Sequence, residues 1–231
     1  MSTHHHTQAL LQVEGVTVRF GGLVAIDNVS FDVREGELLG LIGPNGAGKT
    51  TMLRSITGVA KPAQGRVLLD GASLNGLPIH QRIRRGLSLS QQLVKPLRGI
   101  TLEDNVALAA ASAKTVTPLR ALMNVSCADE LAQARHELAR VGIAALANQS
   151  PATQPLGVLK RLEMARALAL KPRLLLLDEP LAGLNSKEAH ALATTIADIN
   201  RQGVTVVLIE HNLRELLRIC RRVVALDNGR K

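Results

Sequence analysis

Apolar residues recur along this chain in three rhythms. From Leu11 to Phe20 they alternate with polar ones, the period of a strand with one face on a core, and Val29 to Val33 repeats the pattern. Glu37 to Ile42 (ELLGLI) is a nearly unbroken apolar run ending at a glycine-rich turn. Such a run predicts a strand buried on both faces, as in a parallel sheet. After Lys49 the spacing becomes helical to Thr57, where Gly58, Pro62 and Gly65 punctuate the chain before a further strand, Arg66 to Leu69.

The stretch from Leu93 to Ala169 is rich in Ala, Leu, Glu and Arg and weak in strand signals. Within it, Ser126 to Asp129 resembles a capping box that opens a helix running to Val141, with Gly142 to close it. Alternation of strand and helix then returns. Four leucines, Leu174 to Leu177, precede Asp178; a helix is predicted from Ser186 to Asn200, a buried strand from Val204 to Ile209, and a helix from Leu213. Continuous apolar strands alternating with helices argue for an α/β fold whose parallel sheet is covered on both faces. The organisation expected is one domain over 1–231, with 8–92 and 170–231 forming an α/β core and 93–169 an inserted helical subdomain.

Composition narrows this picture. Of 231 residues 46% are hydrophobic, yet Phe20 and Phe31 are the only aromatics, so the core is aliphatic and either Phe is a candidate for a special role. No apolar run reaches the roughly 18 residues a membrane-spanning helix needs, and no signal peptide is recognisable at the start. His4, His5 and His6 read as a terminal segment rather than a metal site. Cys127 and Cys220 lack metal-ligand spacing and read as reduced structural thiols of a cytoplasmic protein. A net charge of +9 asks for an anionic partner. The small clusters Arg82-Arg84-Arg85 and Arg218-Arg221-Arg222 read as solvated helix faces.

Three segments carry chemistry. GPNGAGKT, Gly43 to Thr50, follows a predicted strand and opens a predicted helix, the pattern of a phosphate-binding loop. Its glycines let backbone N–H groups turn inward around phosphates, aided by the helix dipole. Lys49 reaches the β- and γ-phosphates, and the Thr50 hydroxyl completes a Mg²⁺ shell. LLLLDEP, Leu174 to Pro180, ends a buried strand in two carboxylates: Asp178 suits the Mg²⁺ shell and Glu179 the general base that polarises water. His211 follows the strand VTVVLIE at its carboxyl end, where ligands of open α/β sheets bind, and is a candidate catalytic residue that contacts the γ-phosphate or positions the water.

RFGGLVAIDNVSF, GPNGAGKTTMLRSITG, RLEMARALALKPRLLLLDEPLAGLNSKEA and LIEHNL together resemble the ATP-binding subunits of ATP-binding-cassette (ABC) transporters, and most closely those serving branched-chain amino acid and related amide uptake. The resemblance implies a RecA-like P-loop NTPase core with parallel sheet, an antiparallel β edge and a helical subdomain. It implies ATP and Mg²⁺, permease subunits, a second ATP-binding subunit, a periplasmic substrate-binding protein at one remove, and a peripheral place on the cytoplasmic face of the inner membrane. Phe20 takes the position of the aromatic that stacks on adenine. The cofactor set it implies is Phe20 with Gly43, Pro44, Asn45, Gly46, Ala47, Gly48, Lys49, Thr50, Thr51 and Gly157. Gln92 takes the position of the glutamine that touches Mg²⁺, with Gln91 where an aromatic usually precedes it. Ala182 to Asn185 matches the loop that crosses the dimer interface. A non-transport ABC protein of DNA repair or translation is the rival reading, but the coiled-coil arms, zinc cysteines or second cassette of such proteins are missing from this sequence, and no nucleic-acid partner is expected.

This sequence departs from the family pattern at its signature motif. The L-S-x-G-Q of the family falls on Gln154, Pro155, Leu156, Gly157 and Val158, so only the glycine survives. In the family that serine and glycine hold the γ-phosphate bound by the opposite subunit. Pro155 supplies neither a hydroxyl nor an N–H, and loss of such donors costs about 2–4 kcal/mol each in comparable sites. Since the defect lies in what this chain donates, the expectation is a heterodimer with one competent and one degenerate, ATP-holding site. A nucleotide-holding subunit without turnover is the third reading. The family also continues for another strand and helix beyond LDNGRK, which predicts truncation and an exposed sheet edge here.

Overall fold

The computed structural model describes residues 9–90, 96–114 and 127–231. A long hairpin comes first: β1 (Ala9–Phe20) and β2 (Leu23–Arg34), joined by Gly21 and Gly22. Next come β3 (Leu38–Ile42), α1 (Lys49–Thr57), β4 (Gln64–Leu69), β5 (Ala72–Ser73), α2 (Ile79–Arg84) and β6 (Leu87–Ser90). Among the described residues the α-helices that follow are α3 (Leu102–Lys114), α4 (Cys127–Arg140) and α5 (Leu156–Ala169). The chain closes with β7 (Leu174–Asp178), α6 (Ser186–Arg201), β8 (Thr205–Ile209), α7 (Leu213–Ile219) and β9 (Arg222–Ala225).

Two sheets result. One is antiparallel, in the order β2-β1-β4-β5; the other is parallel, in the order β6-β7-β8-β3-β9. The parallel sheet is buried on both faces, and its strands show this residue by residue. Leu174 and Leu176 of β7, Val207 and Ile209 of β8, and Leu39 and Leu41 of β3 join the antiparallel sheet and α1 in one apolar cluster. Their neighbours Leu175, Leu177, Val206 and Leu208 point the other way, into a cluster built from α3, α4, α5 and α6. A period of two with both phases apolar is what the unbroken runs ELLGLI and LLLL encode.

Helix ends are where the sequence places them. Gly58 closes α1 and Gly142 follows α4, both left-handed at φ 89° and 75°. Asn185 opens α6 through a capping box with Glu188. Phe31 is core. The segment 4–6, Ser126 of the expected capping box and the Cys127 side chain lie outside what is described.

The arginine clusters keep their expected solvated role at Arg84, Arg85, Arg218 and Arg221, which are exposed, and depart from it at Arg82 and Arg222. Arg82 is 3% exposed and donates to the carbonyls of Ser55, Ile56 and Leu77, closing the last turn of α1. Arg222 grips Glu37 with two hydrogen bonds, at 2.6 and 2.8 Å, and the Asp32 carbonyl at 2.6 Å. Arg218 binds Glu215 and the His190 carbonyl. A guanidinium with five donors suits such multi-point bracing, which charge clustering alone does not disclose. Cys220 is buried, and burial pushes its thiol up to about 12.

Candidate functional site

The carboxyl ends of β3, β7 and β8 meet at one edge of the parallel sheet, and the loops leaving them carry the expected chemistry. Residues 43–48 wrap from β3 to α1, and Gly48 caps that helix in a left-handed conformation, φ 99°. A Cβ there would lie 2.7 Å from the Ala25 carbonyl oxygen and 2.5 Å from Ile26. At Gly43 a Cβ would meet the Leu226 carbonyl oxygen at 2.1 Å. These glycines are steric requirements of a loop pressed between β2 and the turn after β9.

Lys49 is buried at the start of α1, and its ammonium folds back to donate to the Gly43 and Pro44 carbonyls, at 2.8 and 2.9 Å. The loop is thereby held in a ring around a cation. Beside it is a cavity of about 560 Å³ lined by Asn45, Gly46, Gly48, Lys49, Thr50 and Thr51, and by Glu179 and His211 from the other strands. Phe20, half exposed at the mouth, forms its wall with Leu23, its partner across the hairpin. Ala47 faces elsewhere: its methyl is in the core, its N–H bonds to Pro44 O and its carbonyl accepts from Gly229 N. Gly43 and Pro44 line an adjoining cavity with His211.

Asp178 ends β7 and is nearly buried. Burial, then the neighbouring Glu179 charge, raises its pKa, while Arg54, the Thr50 hydroxyl and Lys49 pull it down. Its Oδ1 is a buried oxygen with no hydrogen-bond partner among the described residues. An orphaned acceptor of this kind costs about 1–3 kcal/mol, and beside the Thr50 hydroxyl it fits a hydrated divalent cation of oxygen preference. Among the described residues no cluster of three or more His, Cys, Asp or Glu forms an all-protein metal cage. That suits Mg²⁺, which keeps its waters and borrows oxygens from phosphate.

Glu179 sits in a left-handed conformation, φ 51°, unusual for a residue with a side chain, and its N–H binds the Ile209 carbonyl at 3.0 Å. This turn aims the carboxylate into the cavity, where Oε1 lies 2.7 Å from His211 Nε2. Three residues read separately from sequence, Lys49, Glu179 and His211, thus line one cavity. Gln92 lies outside the described residues. Gly157 is at the start of α5 in a separate cavity of about 900 Å³, beside Leu184, Lys187 and Glu188. Pro155 is the N-cap of α5, one position before the helical turn, and offers no side-chain cap.

Two parts of the site escape a motif search. The turn at Asn228 and Gly229 lines the cavity; its glycine accepts from Asp27 N at 2.8 Å and donates to Ala47 O. The dipeptide Asn-Gly signals a turn, though nothing in it indicates what the turn braces. Glu210, 3% exposed, accepts the Leu181 N–H at 2.6 Å and those of His211 and Asn212, joining the two strand ends that hold the carboxylate and the imidazole.

Residues 26–182 match the family described as ABC transporter. This chain belongs to that family. It is an ATPase cassette, the nucleotide-binding kind of ABC subunit. Over 229 residues it is 37% identical to the high-affinity branched-chain amino acid transport ATP-binding protein BraF of Pseudomonas aeruginosa, across 96% of this chain and 90% of that one. The corresponding LivG protein of Escherichia coli is 36% identical with the same coverage. Among solved structures, an ATP-binding cassette of an ABC transporter superposes with TM-score 0.87 at 27% identity, covering 97% of this chain and 90% of that one. A dimeric cassette in a post-hydrolysis state bound to ADP and phosphate gives TM-score 0.81 at 27% identity over 95% of each chain. The ABC cassette therefore binds nucleotide, and its parallel sheet, antiparallel sheet and helices are those of a P-loop NTPase.

Proposed function

We propose that this cassette powers an importer of branched-chain amino acids or related amides, bound to permease subunits at the cytoplasmic face of the inner membrane and fed by a periplasmic substrate-binding protein. The names of BraF and LivG support the substrate class. No described helix is long and apolar enough to cross a membrane, so membrane attachment would run through partners. The division proposed is a core of 8–92 and 170–231 with a helical subdomain over 93–169.

The observation that carries the reading is the shared cavity of Lys49, Glu179, His211 and Phe20. Phe20 stacks on adenine, which is worth about 1 kcal/mol. Lys49 leaves the Gly43 and Pro44 carbonyls for the β- and γ-phosphates. Glu179 takes a proton from the attacking water, and His211 holds that carboxylate in line. Asp178, Thr50 and Gln92 would hold Mg²⁺, which when bound neutralises charge on the β- and γ-oxygens.

Pro155 supports the finer claim of a heterodimer. An N-cap without a side-chain acceptor or donor is a poor γ-phosphate ligand for a partner's site, whereas the cavity of this chain is furnished. Calorimetric titration of the purified chain with ATP and Mg²⁺ tests the core of the proposal. Binding that disappears in Lys49→Ala supports it; a chain without magnesium-dependent affinity for ATP overturns it.

A further inference from the structure

Lys160 is the part of this site that the reading above leaves unused. It stands on the second turn of α5, four residues past the start of that helix, and is 6% exposed. Lysine is among the residues least often buried, because its ammonium gives up strong hydration. Here the ammonium points at the end of β7, with Nζ 3.4 Å from the Glu179 carbonyl oxygen. Burial pulls the ammonium below its ordinary range, against the nearby negative charges of Glu210, Glu179, Asp178 and Glu163. Glu210, itself buried, gathers the N–H groups of Leu181, His211 and Asn212.

We propose that Lys160 is a positioning residue for ATP hydrolysis: with Glu210 it locks the helix that begins at Pro155 to the two strand ends bearing Glu179 and His211. Each partner contributes a constraint the other lacks. Glu210 ties β8 to the residue after Pro180, fixing one strand end against the other. Lys160 ties that pair to α5, and through α5 to the helices packed with it. Neighbouring Arg161 holds the far side of α5, donating to the Val141 carbonyl at 2.6 Å and to Thr195 at 3.0 Å. Movement of α5 relative to the parallel sheet is consequently felt at the backbone of Glu179, whose left-handed conformation needs outside support. The proposal rests on the ATPase reading of the cavity.

Three full-length proteins test it: wild type, Lys160→Met, which keeps the aliphatic stem and removes the cation, and Lys160→Arg, which restores a cation. Hydrogen exchange reads the lock without needing turnover. In Lys160→Met, amides in 178–184 and 210–213 are expected to exchange about tenfold faster, those in α1 and α6 to stay within about twofold, and Lys160→Arg to recover much of the protection. Steady-state hydrolysis in the assembled transporter is expected to show kcat down about tenfold with KM for ATP unchanged, the signature of a lost transition-state interaction rather than lost binding. Unaltered exchange at 178–184 in Lys160→Met, or a uniform rise over the whole chain that Lys160→Arg does not reverse, overturns the proposal. A wild type that binds no ATP would defeat the ATPase reading instead, and the exchange comparison would still stand.

Discussion

His211 Nε2 and Glu179 Oε1 are 2.7 Å apart, although 32 residues separate them in the chain. The contact is made because β7 and β8 pair in parallel, with Asp178 opposite Ile209, so residues just past each strand emerge side by side. A hydrogen bond between a carboxylate carried on a left-handed turn and an imidazole in one cavity is a working arrangement for activating water.

Substituting either member should therefore leave binding intact and remove chemistry. Glu179→Gln, in the complete transporter, is expected to bind Mg-ATP with wild-type affinity and to lose about a hundredfold or more in turnover. His211→Ala is expected to lose a similar factor. Hydrolysis in Glu179→Gln close to the wild-type rate would contradict the assignment of the base and the heterodimer together.

Gly48→Ala probes the loop by steric means. The added carbon cannot fit between Ala25 and Ile26 without displacing the loop, and the left-handed backbone adds a cost of about 1–2 kcal/mol. ATP affinity should fall at least about tenfold, while circular dichroism remains that of the wild type. Calorimetry beside a far-ultraviolet spectrum is sufficient to check both.

Pro155→Ser should act in the opposite direction. It supplies a hydroxyl at the N-cap of α5 and frees a backbone N–H, and a serine cap contributes about 1 kcal/mol to helix stability. In the heterodimer it is expected to raise the steady-state rate, and the increment should persist when Glu179→Gln is present in the same chain. An unchanged rate would show that the site completed by this chain is limited elsewhere.

Arg82→Met should cost about 2–4 kcal/mol of stability, because it removes the guanidinium donors to the Ser55, Ile56 and Leu77 carbonyls and leaves Ser55 with only the long bond from the Gly58 N–H. Arg82→Lys should recover only part of this, since a point charge cannot fork between Ser55, Ile56 and Leu77. Urea denaturation of both variants measures the difference.

Cys220 should resist alkylation by iodoacetamide at pH 8 until the chain unfolds. Its thiol is raised to about 12 by burial and by the Glu37 charge, so at that pH the reactive thiolate is scarce. Peptide mapping by mass spectrometry distinguishes its labelling from that of Cys127.

Much of this architecture is legible in the primary structure, for reasons that differ from place to place. The runs ELLGLI and LLLL announce strands buried on both faces, and the helix expected from Ser186 is α6. GPNGAGKT specifies its own loop because backbone conformation there is set by glycine. Other features depend on where distant segments land. The four-residue strands β6 and β9 are too short for a periodicity to register. Arg82 and Lys160 look like ordinary surface cations until burial reveals them. Gly229 reads as one more turn until its amide is seen on the phosphate loop. Propensity and pattern report what a segment does to itself; contacts made across the fold leave no local trace.

The position of β3 in the parallel sheet has a consequence for how the molecule is made. Leu39 pairs with Val207 on one side and with Arg222 on the other, so both neighbours of this strand come from the final part of the chain. During synthesis from the amino end, an apolar ribbon leading into the phosphate loop remains without lateral partners until well over a hundred further residues have left the ribosome. Closing contacts over such spans is slow, and the waiting segment is the one a holdase would be expected to grip.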